Sequence, residues 1–395
     1  MNPAIVVIAY SRPQALRRLL RSMAAAVYPQ GGVPLVVSID RSEDGRSTEV
    51  AGAAREFPWP HGPKDVIERE RRLGLVSHFL ECGRLSQRYG GAVLLEDDLV
   101  VAPPYYAFAR QALQRYGEDE RIAAVCLYGL WFNGFTLEPF QAIDDGADVF
   151  FLQLPYTQGL AFSAGQWRRF EEWTAARPPA PHPDLHDAFL RFPEDEWFPR
   201  LAYHTAATRR FVCFPRASLT TGWGDPGAHF PAETGWLQTP LRLAGTEYRL
   251  PDLDEALAVY DPFFELLPDR LRRLAAGLAD VEFDLDLNAT KERRNLRGGY
   301  VLTSRRARRA RASFGLRMYP PEANIAYGVP GDDLCLARVE DVYWDAWAAA
   351  EARGRLHAYA WAKLRPSRRR SLGFQAARAL ARLRQYGEKG RKRRA

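Results

Sequence analysis

Residues 90–106 read GGAVLLEDDLVVAPPYY and contain the pattern that decides the fold. The apolar run at 92–95 predicts a short strand buried on both faces, and it ends directly at the three acids of residues 96–98. Prolines then begin a helix that we expect to extend from residue 103 to residue 116. A buried strand that ends in charged residues and leads into a helix is typical of α/β proteins.

The same alternation precedes this stretch. Ala4–Ala9 (AIVVIA) and Leu35–Ile39 (LVVSI) are further apolar runs, and an amphipathic helical pattern separates them. Strands and helices that alternate through short connections predict a mixed, mostly parallel sheet with helices on both faces. Ligands bind such sheets at the carboxyl ends of the strands. The sequence places Arg12, Asp40 and the acids of 96–98 after three of these strands.

Glu96, Asp97 and Asp98, called the acidic triplet below, are flanked by apolar residues on both sides. One interpretation is a solvated turn after a strand. The alternative is a cation site, because adjacent carboxylates repel one another and are best tolerated with a cation among them. A hard divalent ion held by few carboxylates, with open positions, is the usual arrangement for binding a diphosphate.

Four further residues have both a structural and a functional interpretation. Asp40 opens a turn, or accepts a hydrogen bond from a nucleoside amide or hydroxyl. Arg12 is a surface charge at a helix start, or a diphosphate partner. In the segment EDEW at 194–197, Asp195 and Glu196 are acids of a first helical turn, or one of them is a general base.

His229 closes a glycine-rich segment, GWGDPGAH, at 222–229. A lone histidine is most often structural, but loops carry functional residues more often than regular elements do. This histidine could therefore bind a metal or a diphosphate.

The composition is that of a globular protein, with 47% hydrophobic and 26% charged residues in 395. Residues 351–395 contain 15 Lys+Arg and 2 Asp+Glu, a net charge of +13, so the chain's total of +7 leaves −6 for residues 1–350. A basic folded face for nucleic acid is therefore not expected. Four separated cysteines predict buried thiols in a reducing compartment, and the apolar start predicts a strand and not a signal peptide.

Common nucleotide and hydrolase motifs do not occur in the sequence. GxGxxG, GxxxxGK[ST], HExxH and GxSxG are all absent, which removes the usual support for dehydrogenases, P-loop enzymes, zincins and serine hydrolases.

Together these segments resemble nucleotide-sugar glycosyltransferases of the GT-A fold, over roughly residues 3–230. The nearest likenesses are bacterial family 2-type sugar transferases and the N-acetylglucosaminyltransferase of N-glycan processing. The segments that carry the resemblance are AIVVIAYSRP, VVSIDRSEDG, RLGLVSHF, GGAVLLEDDLVVAPPYY, EDEWFPR and FPRASLTTGWGDPGAH.

The resemblance implies roles for particular residues. Asp98 and His229 would bind Mn²⁺ or Mg²⁺. Arg12, Asp40, Glu96 and Asp97 would contact the nucleotide and the donor sugar. Glu196, or the adjacent Asp195, would be the catalytic base.

The resemblance also implies an organisation and a function. We expect a GT-A catalytic domain at 1–235, a C-terminal α+β extension at 236–342 and a helical, basic tail at 343–395. The expected function is inverting, metal-dependent transfer from a UDP-sugar to a glycan or lipid-linked glycan hydroxyl in bacterial surface polysaccharide synthesis. The protein would be cytoplasmic and peripheral on the inner face of the cell membrane, attached through the tail to anionic lipid.

Two rival functions remain open from the sequence. A sugar nucleotidyltransferase would use the same class of sheet, but AYSRPQ after the first strand lacks the expected glycines. A non-catalytic glycan- or nucleic-acid-binding protein would depend on the basic tail, and no nucleic acid partner is expected for an enzyme.

Overall fold

The computed structural model describes residues 2–177, 180, 182–193, 195–226 and 232–361. In chain order its strands are β1 (Ala4–Ala9), β2 (Leu35–Ile39), β3 (Lys64–Glu68), β4 (Gly91–Glu96), β5 (Leu99–Val101), β6 (Ile122–Cys126), β7 (Val149–Leu152), β8 (Leu160–Ser163), β9 (Phe211–Pro215), β10 (Thr220–Gly222), β11 (Val259–Tyr260), β12 (Asp284–Asp286), β13 (Tyr300–Thr303), β14 (Ala312–Phe314) and β15 (Leu334–Arg338). Its α-helices are α1 (Pro13–Ala24), α2 (Arg46–Glu56), α3 (Leu75–Tyr89), α4 (Tyr105–Tyr116), α5 (Ala164–Ala176), α6 (Phe198–Thr208), α7 (Pro268–Leu274), α8 (Pro321–Ala326) and α9 (Ala346–Trp361).

The large sheet has the strand order β11-β7-β9-β6-β8-β4-β1-β2-β3 among the described residues. Five of its eight pairings are parallel, and the antiparallel ones are β4 with β8, β6 with β8 and β7 with β9. Helices cover both faces, since α1, α2 and α4 pack in one core and α3, α5 and α6 in the other. The predicted α/β class with a mixed, mostly parallel sheet is therefore confirmed.

Strand β1 shows why its sequence is apolar throughout. Its side chains alternate between the two cores, and every residue of the strand is buried. A strand with apolar layers on both sides has no solvent face, so it shows no polar alternation. The central position of β1, between β2 and β4, follows from this sequence.

The strand register brings the polar strand ends together. Ile8 of β1 lies opposite Glu96 of β4, and Ala9 lies opposite Ile39 of β2. These three strands run parallel, so their carboxyl ends lie side by side at one edge of the sheet. Glu96 is the last residue of β4, and Arg12, Asp40, Asp97 and Asp98 follow the strand ends within three residues.

The C-terminal part of the described chain adds one strand to the large sheet and forms a second, smaller sheet. Strand β11 pairs with β7, and a second sheet follows with the order β12-β13-β15-β14. Helix α9 ends the described chain, so most of the expected basic tail, 362–395, lies outside the described residues. The domain boundaries after residues 235 and 342 stay predictions.

The helices were also compared in length and apolar character with a membrane-spanning segment. Among those described, none combines the length and the apolar character needed to cross a bilayer.

Candidate functional site

The acidic triplet lies in the bend between β4 and β5. Glu96 is the last residue of β4, and the Asp97 N–H donates to the Ile8 carbonyl oxygen of β1 at 3.1 Å. The Asp98 carbonyl oxygen accepts a bond from the Trp223 N–H at 3.0 Å. Strand β5 leaves the triplet and pairs with β10, which leads directly into Trp223. The triplet is thus held between the opening strand and the glycine-rich segment.

Arg12 supplies the positive charge at the triplet. Its Nη1 donates to Asp98 Oδ2 at 3.1 Å, and its Nη2 donates to Asp97 Oδ1. Asp97 is buried, whereas the Arg12 and Asp98 side chains are 29% and 34% exposed. Burial lowers the pKa of Arg12, but the charges of the two carboxylates outweigh burial and raise it overall. The guanidinium therefore bridges the two aspartates in its charged form.

Burial sets the protonation of the other two acids. It raises the pKa of Glu96 to about 8, and the charges of Asp98 and Asp97 add to the effect. Burial also raises the pKa of Asp97 to about 6, against the opposing charge of Arg12. Two carboxyls with raised pKa values beside a third acid form a site that gains from added positive charge.

The triplet fits a divalent metal of a particular kind. Asp97 Oδ2 is buried and has no hydrogen-bond partner among the described residues, so an oxygen suited to a hard cation is left over. No group of three or more His, Cys, Asp or Glu side chains that could enclose a metal occurs in the described part of the chain. The residues therefore fit an ion held by one or two aspartates, with other ligands supplied by a substrate.

Asp40 lies at the same edge, but its carboxylate already has protein partners. Oδ1 accepts bonds from the N–H groups of Arg41 at 2.9 Å and Leu73 at 2.8 Å, and Oδ2 accepts one from Gly74 at 3.0 Å. Asp40 thus fixes the turn that leads into α3. Each oxygen keeps lone-pair capacity, so its nucleotide contact stays a prediction.

Glu196 lies within electrostatic reach of the triplet, because its charge is one of those that raise the pKa of Glu96. Glu196 is partly buried and Asp195 is exposed. The next residue, Trp197, stacks on Phe79 of α3 with ring centroids 3.7 Å apart. This stack anchors the segment that carries both candidate bases. His229 and Glu194 lie outside the described residues.

Arg18 and Trp223 adjoin the site and were not predicted from the sequence. Arg18 of α1 forms an ion pair with Asp225, and its guanidinium lies 4.4 Å from the centre of the Trp223 ring. Trp223 is 52% exposed next to Asp98. The glycine-rich segment that contains Trp223 is a candidate from the sequence. The sequence of an amphipathic helix, however, does not indicate which residue an arginine on it will pair with.

A wide groove of about 860 Å³ lies near the carboxyl end of β6. Its lining includes Trp131, Gln141, Arg317 and Tyr319. The Phe132 ring lies 5.4 Å from the ring of Trp131 and 5.0 Å from that of Trp236, so two partly exposed indoles share one aromatic support. Flat apolar rings of this kind suit carbohydrate faces.

No family model and no curated protein matches the sequence. Among solved structures, the chain is similar to S. aureus TarS 1-349 in complex with UDP-GlcNAc, at 14% identity over 58% of this chain and 60% of that chain, with a TM-score of 0.39. It is also similar to the mannosyltransferase PcManGT from Pyrobaculum calidifontis in complex with GDP-Man and Mn²⁺, at 15% identity over 55% and 58%, with a TM-score of 0.34.

A third similar structure is GalNAc-T7 with UDP, GalNAc and Mn²⁺, at 13% identity over 60% of this chain and 47% of that chain, with a TM-score of 0.37. The chain thus spans less than two thirds of each of these structures.

Proposed function

We propose that the protein is an inverting, metal-dependent GT-A glycosyltransferase that uses a nucleotide-sugar donor, with UDP as the expected nucleotide. The observation that carries the proposal is the acidic triplet, bridged by Arg12, at the edge where β1, β2 and β4 end. Carboxylates for a metal and a guanidinium for a phosphate occur there at the usual ligand edge of an α/β sheet.

The donor would be held by groups from three strand ends. Asp98 and Asp97 would bind Mn²⁺ or Mg²⁺, which supplies charge that stabilises the leaving diphosphate. Arg12 would bind diphosphate oxygens through its planar fork. Asp40 would contact the nucleoside, and Glu96 the ribose or donor sugar. Preorganised charge of this type is often the largest contribution to catalysis.

The chemical step would be one displacement at the anomeric carbon. Glu196, or Asp195 beside it, takes the proton of the acceptor hydroxyl, whose oxygen forms the new bond as the bond to the diphosphate breaks. The sugar is transferred with inversion and the nucleoside diphosphate leaves. The contribution of the Glu196 charge to the raised pKa of Glu96 supports Glu196 as the first choice.

The acceptor would be a glycan or lipid-linked glycan, as expected for an enzyme of bacterial surface polysaccharide synthesis. The groove lined by Trp131 supports a carbohydrate acceptor, because exposed indoles bind sugar faces. A cytoplasmic location at the inner membrane surface, with the basic residues of 362–395 on anionic lipid, completes the proposal.

A thermal-shift panel tests the donor and the metal together. Wild-type protein is heated with UDP-glucose, UDP-GlcNAc, GDP-mannose or a CMP-sugar, each with Mn²⁺ or with EDTA. A donor should raise the Tm in the presence of Mn²⁺, since a ligand that binds only the folded state stabilises it.

Asp98→Ala is the test variant of this panel, and Asp332→Ala, at an exposed acid before β15, is the matched control. We expect Asp98→Ala to fold, to lose the Mn²⁺-dependent shift and to lose sugar transfer, whereas Asp332→Ala keeps both. Full turnover of the wild type in excess EDTA would contradict the role of the metal.

A further inference from the structure

We infer that Arg12 is the resident counter-cation of the acidic triplet and thereby makes metal binding depend on the donor diphosphate. The inference rests on the proposed function and assigns to Arg12 a role beyond diphosphate contact. Arg12 competes with the metal in the free protein and cooperates with it in the donor complex.

The contacts of Arg12 show the competition. Its two terminal nitrogens reach separate carboxylates, Asp97 Oδ1 and Asp98 Oδ2, so one guanidinium spans the pair that would hold a metal. A divalent ion bound at Asp98 would lie beside this guanidinium, and two cations on one carboxylate repel each other. Metal binding at Asp98 therefore has to overcome the positive charge of Arg12, which already occupies one oxygen of each aspartate.

The protein itself supplies few ligands for the metal. The described residues contain no group of three or more ligating side chains, so the triplet does not form a closed cage. Such an ion needs further oxygens, which Mg²⁺-type sites commonly take from substrate phosphates. In the free protein, one guanidinium with two charge-assisted bonds is thus a strong competitor for the ion.

The diphosphate changes this balance. Arg12 lies in the turn before α1, and its side chain is 29% exposed, so it can reach a ligand at the sheet edge. An arginine fork binds phosphate oxygens as well as it binds carboxylates. A diphosphate therefore gives Arg12 a new partner and gives the metal its missing ligands. By linkage, the metal and the diphosphate then raise each other's affinity by the same factor.

The test is a titration of the full-length protein with Mn²⁺, followed by the electron paramagnetic resonance signal of free Mn²⁺. It is run with and without UDP at one pH, and a protein-free titration corrects for the Mn²⁺–UDP complex. We expect wild-type protein to bind Mn²⁺ at least about tenfold more tightly with UDP than without it.

Arg12→Gln removes the competing charge. It should bind Mn²⁺ at least about tenfold more tightly than wild type in the absence of UDP, and the gain from UDP should shrink, because the diphosphate loses its arginine. Arg12→Lys keeps one charge without the fork and should lie between the two. Arg17→Gln, within α1, is the matched control. Arg17 Nη2 lies 3.8 Å from Glu56 Oε2, and this variant should match wild type.

Each other outcome overturns the inference. Unchanged or weaker Mn²⁺ binding by Arg12→Gln without UDP shows that Arg12 does not compete, and an undiminished gain from UDP shows that it does not couple the ligands. If Arg12→Gln has no cooperative unfolding transition, Arg12→Lys decides by the same two criteria. If wild-type protein binds no Mn²⁺ even with UDP, both the proposed function and the inference are contradicted. If wild-type protein binds Mn²⁺ more tightly with UDP and the Arg12 variant binds Mn²⁺ as wild type does, only the inference is contradicted.

Discussion

Glu96, Asp97 and Asp98 are adjacent in the chain but differ in environment. Glu96 ends a strand and forms no hydrogen bond with an arginine in the described part of the chain. Asp97 is buried and bonded to Arg12, and Asp98 is partly exposed and bonded to the same arginine. Burial therefore raises the pKa of Glu96 further than that of Asp97, to about 8 against about 6. Near neutral pH Glu96 holds its proton while Asp97 is mostly ionised.

Glu96→Gln is expected to stabilise the ligand-free protein at pH 8.5 and to change its Tm little at pH 5. The folded protein releases the Glu96 proton near pH 8, whereas the unfolded chain releases it near the ordinary value of 4.5. Between these values the folded state binds more protons, so the free energy of unfolding falls as pH rises. A neutral amide removes that loss. Thermal unfolding followed by circular dichroism measures the effect.

Glu43→Gln is the control for this experiment, because the Glu43 side chain is 82% exposed. Its Tm difference from wild type should be the same at both pH values. A Glu96→Gln variant that is less stable than wild type at pH 8.5 would show that the ionised carboxylate is favourable in the folded protein.

Glu196→Gln is expected to lower kcat for transfer by at least about 10²-fold with little change in the KM of the donor. The amide keeps the shape of the side chain but cannot take a proton from the acceptor hydroxyl. Steady-state kinetics with the donor found by thermal shift measures both constants. Asp195→Asn, at the exposed neighbour, is the comparison, and normal kcat for Glu196→Gln with a loss for Asp195→Asn would assign the base to Asp195.

For single residues, the sequence predicts where in the fold a site residue lies better than it predicts its hydrogen-bond partners. The triplet, Arg12 and Asp40 all lie at the predicted strand ends, because the end of a buried parallel strand can be identified from its composition. The bonds of Asp40 to Leu73 and Gly74 could not be predicted, since they depend on how a turn thirty residues later folds back. The pairing of Arg18 with Asp225 depends on the same kind of long-range contact.

Among the elements, the turn after β10 connects most directly to the triplet. Trp223 bonds to the Asp98 carbonyl, and the next residue, Gly224, has a φ of +87°. A Cβ on Gly224 would lie 1.8 Å from the Thr234 carbonyl oxygen, so two backbone segments approach each other there with no room for a side chain. This close approach holds Trp223 against the triplet.

Gly224→Ala should therefore weaken Mn²⁺–UDP binding and lower the Tm, because the segment has to move and the backbone is strained at positive φ. Gly328→Ala is the matched control, since Gly328 also has a positive φ, of +60°, but a Cβ there would meet nothing within 4 Å. Isothermal titration with UDP in saturating Mn²⁺ measures the affinity. Equal affinities for the two variants would show that the turn does not support the site.

The region from 260 to 278 shows where helical spacing fails as a predictor. The sequence predicts one helix over Tyr260–Leu278, whereas the α-helix in the structure extends only over Pro268–Leu274. Tyr260 pairs with Leu152 in the large sheet, and Asp261 Oδ1 then accepts bonds from the N–H groups of Phe263 and Glu265 at 2.8 and 3.1 Å. Helix formation starts only at Pro268. Strand pairing with a distant partner and a side-chain-bonded turn override local periodicity.

At the scale of the whole molecule, strand order can be predicted from the sequence where short connections join successive strands and helices. Strands β1 to β4 are parallel neighbours or near neighbours in the order β4-β1-β2-β3, as successive strand–helix units favour. Beyond β6 some strands of the large sheet pair with distant partners, such as β11 with β7, and sequence periodicity contains no information about those pairings. The sheet edge with the acidic triplet belongs to the first part, and the groove near Trp131 to the second.

Acidic and basic residues are unevenly distributed along the chain. This distribution allows the proposed catalytic function to be tested separately from the alternative of a binding protein. Residues 1–350 have a net charge of −6 and residues 351–395 one of +13. The acidic triplet lies in the first part and the expected lipid-binding residues in the second. Donor chemistry and surface attachment should therefore be separable by changing charges far from the triplet.

Replacement of Arg368, Arg369 and Arg370 by glutamate in the full chain is expected to reduce binding to anionic vesicles and to leave donor hydrolysis unchanged. Each basic residue near an anionic surface contributes about 1 kcal/mol, so reversal of three charges should lower partitioning by at least about 10²-fold. Co-sedimentation with phosphatidylcholine vesicles, with and without 30% phosphatidylglycerol, measures binding, and release of the nucleoside diphosphate measures hydrolysis. Equal sedimentation with both vesicle types would exclude lipid charge as the attraction, and loss of hydrolysis in the variant would place the tail in the catalytic function and not on a membrane.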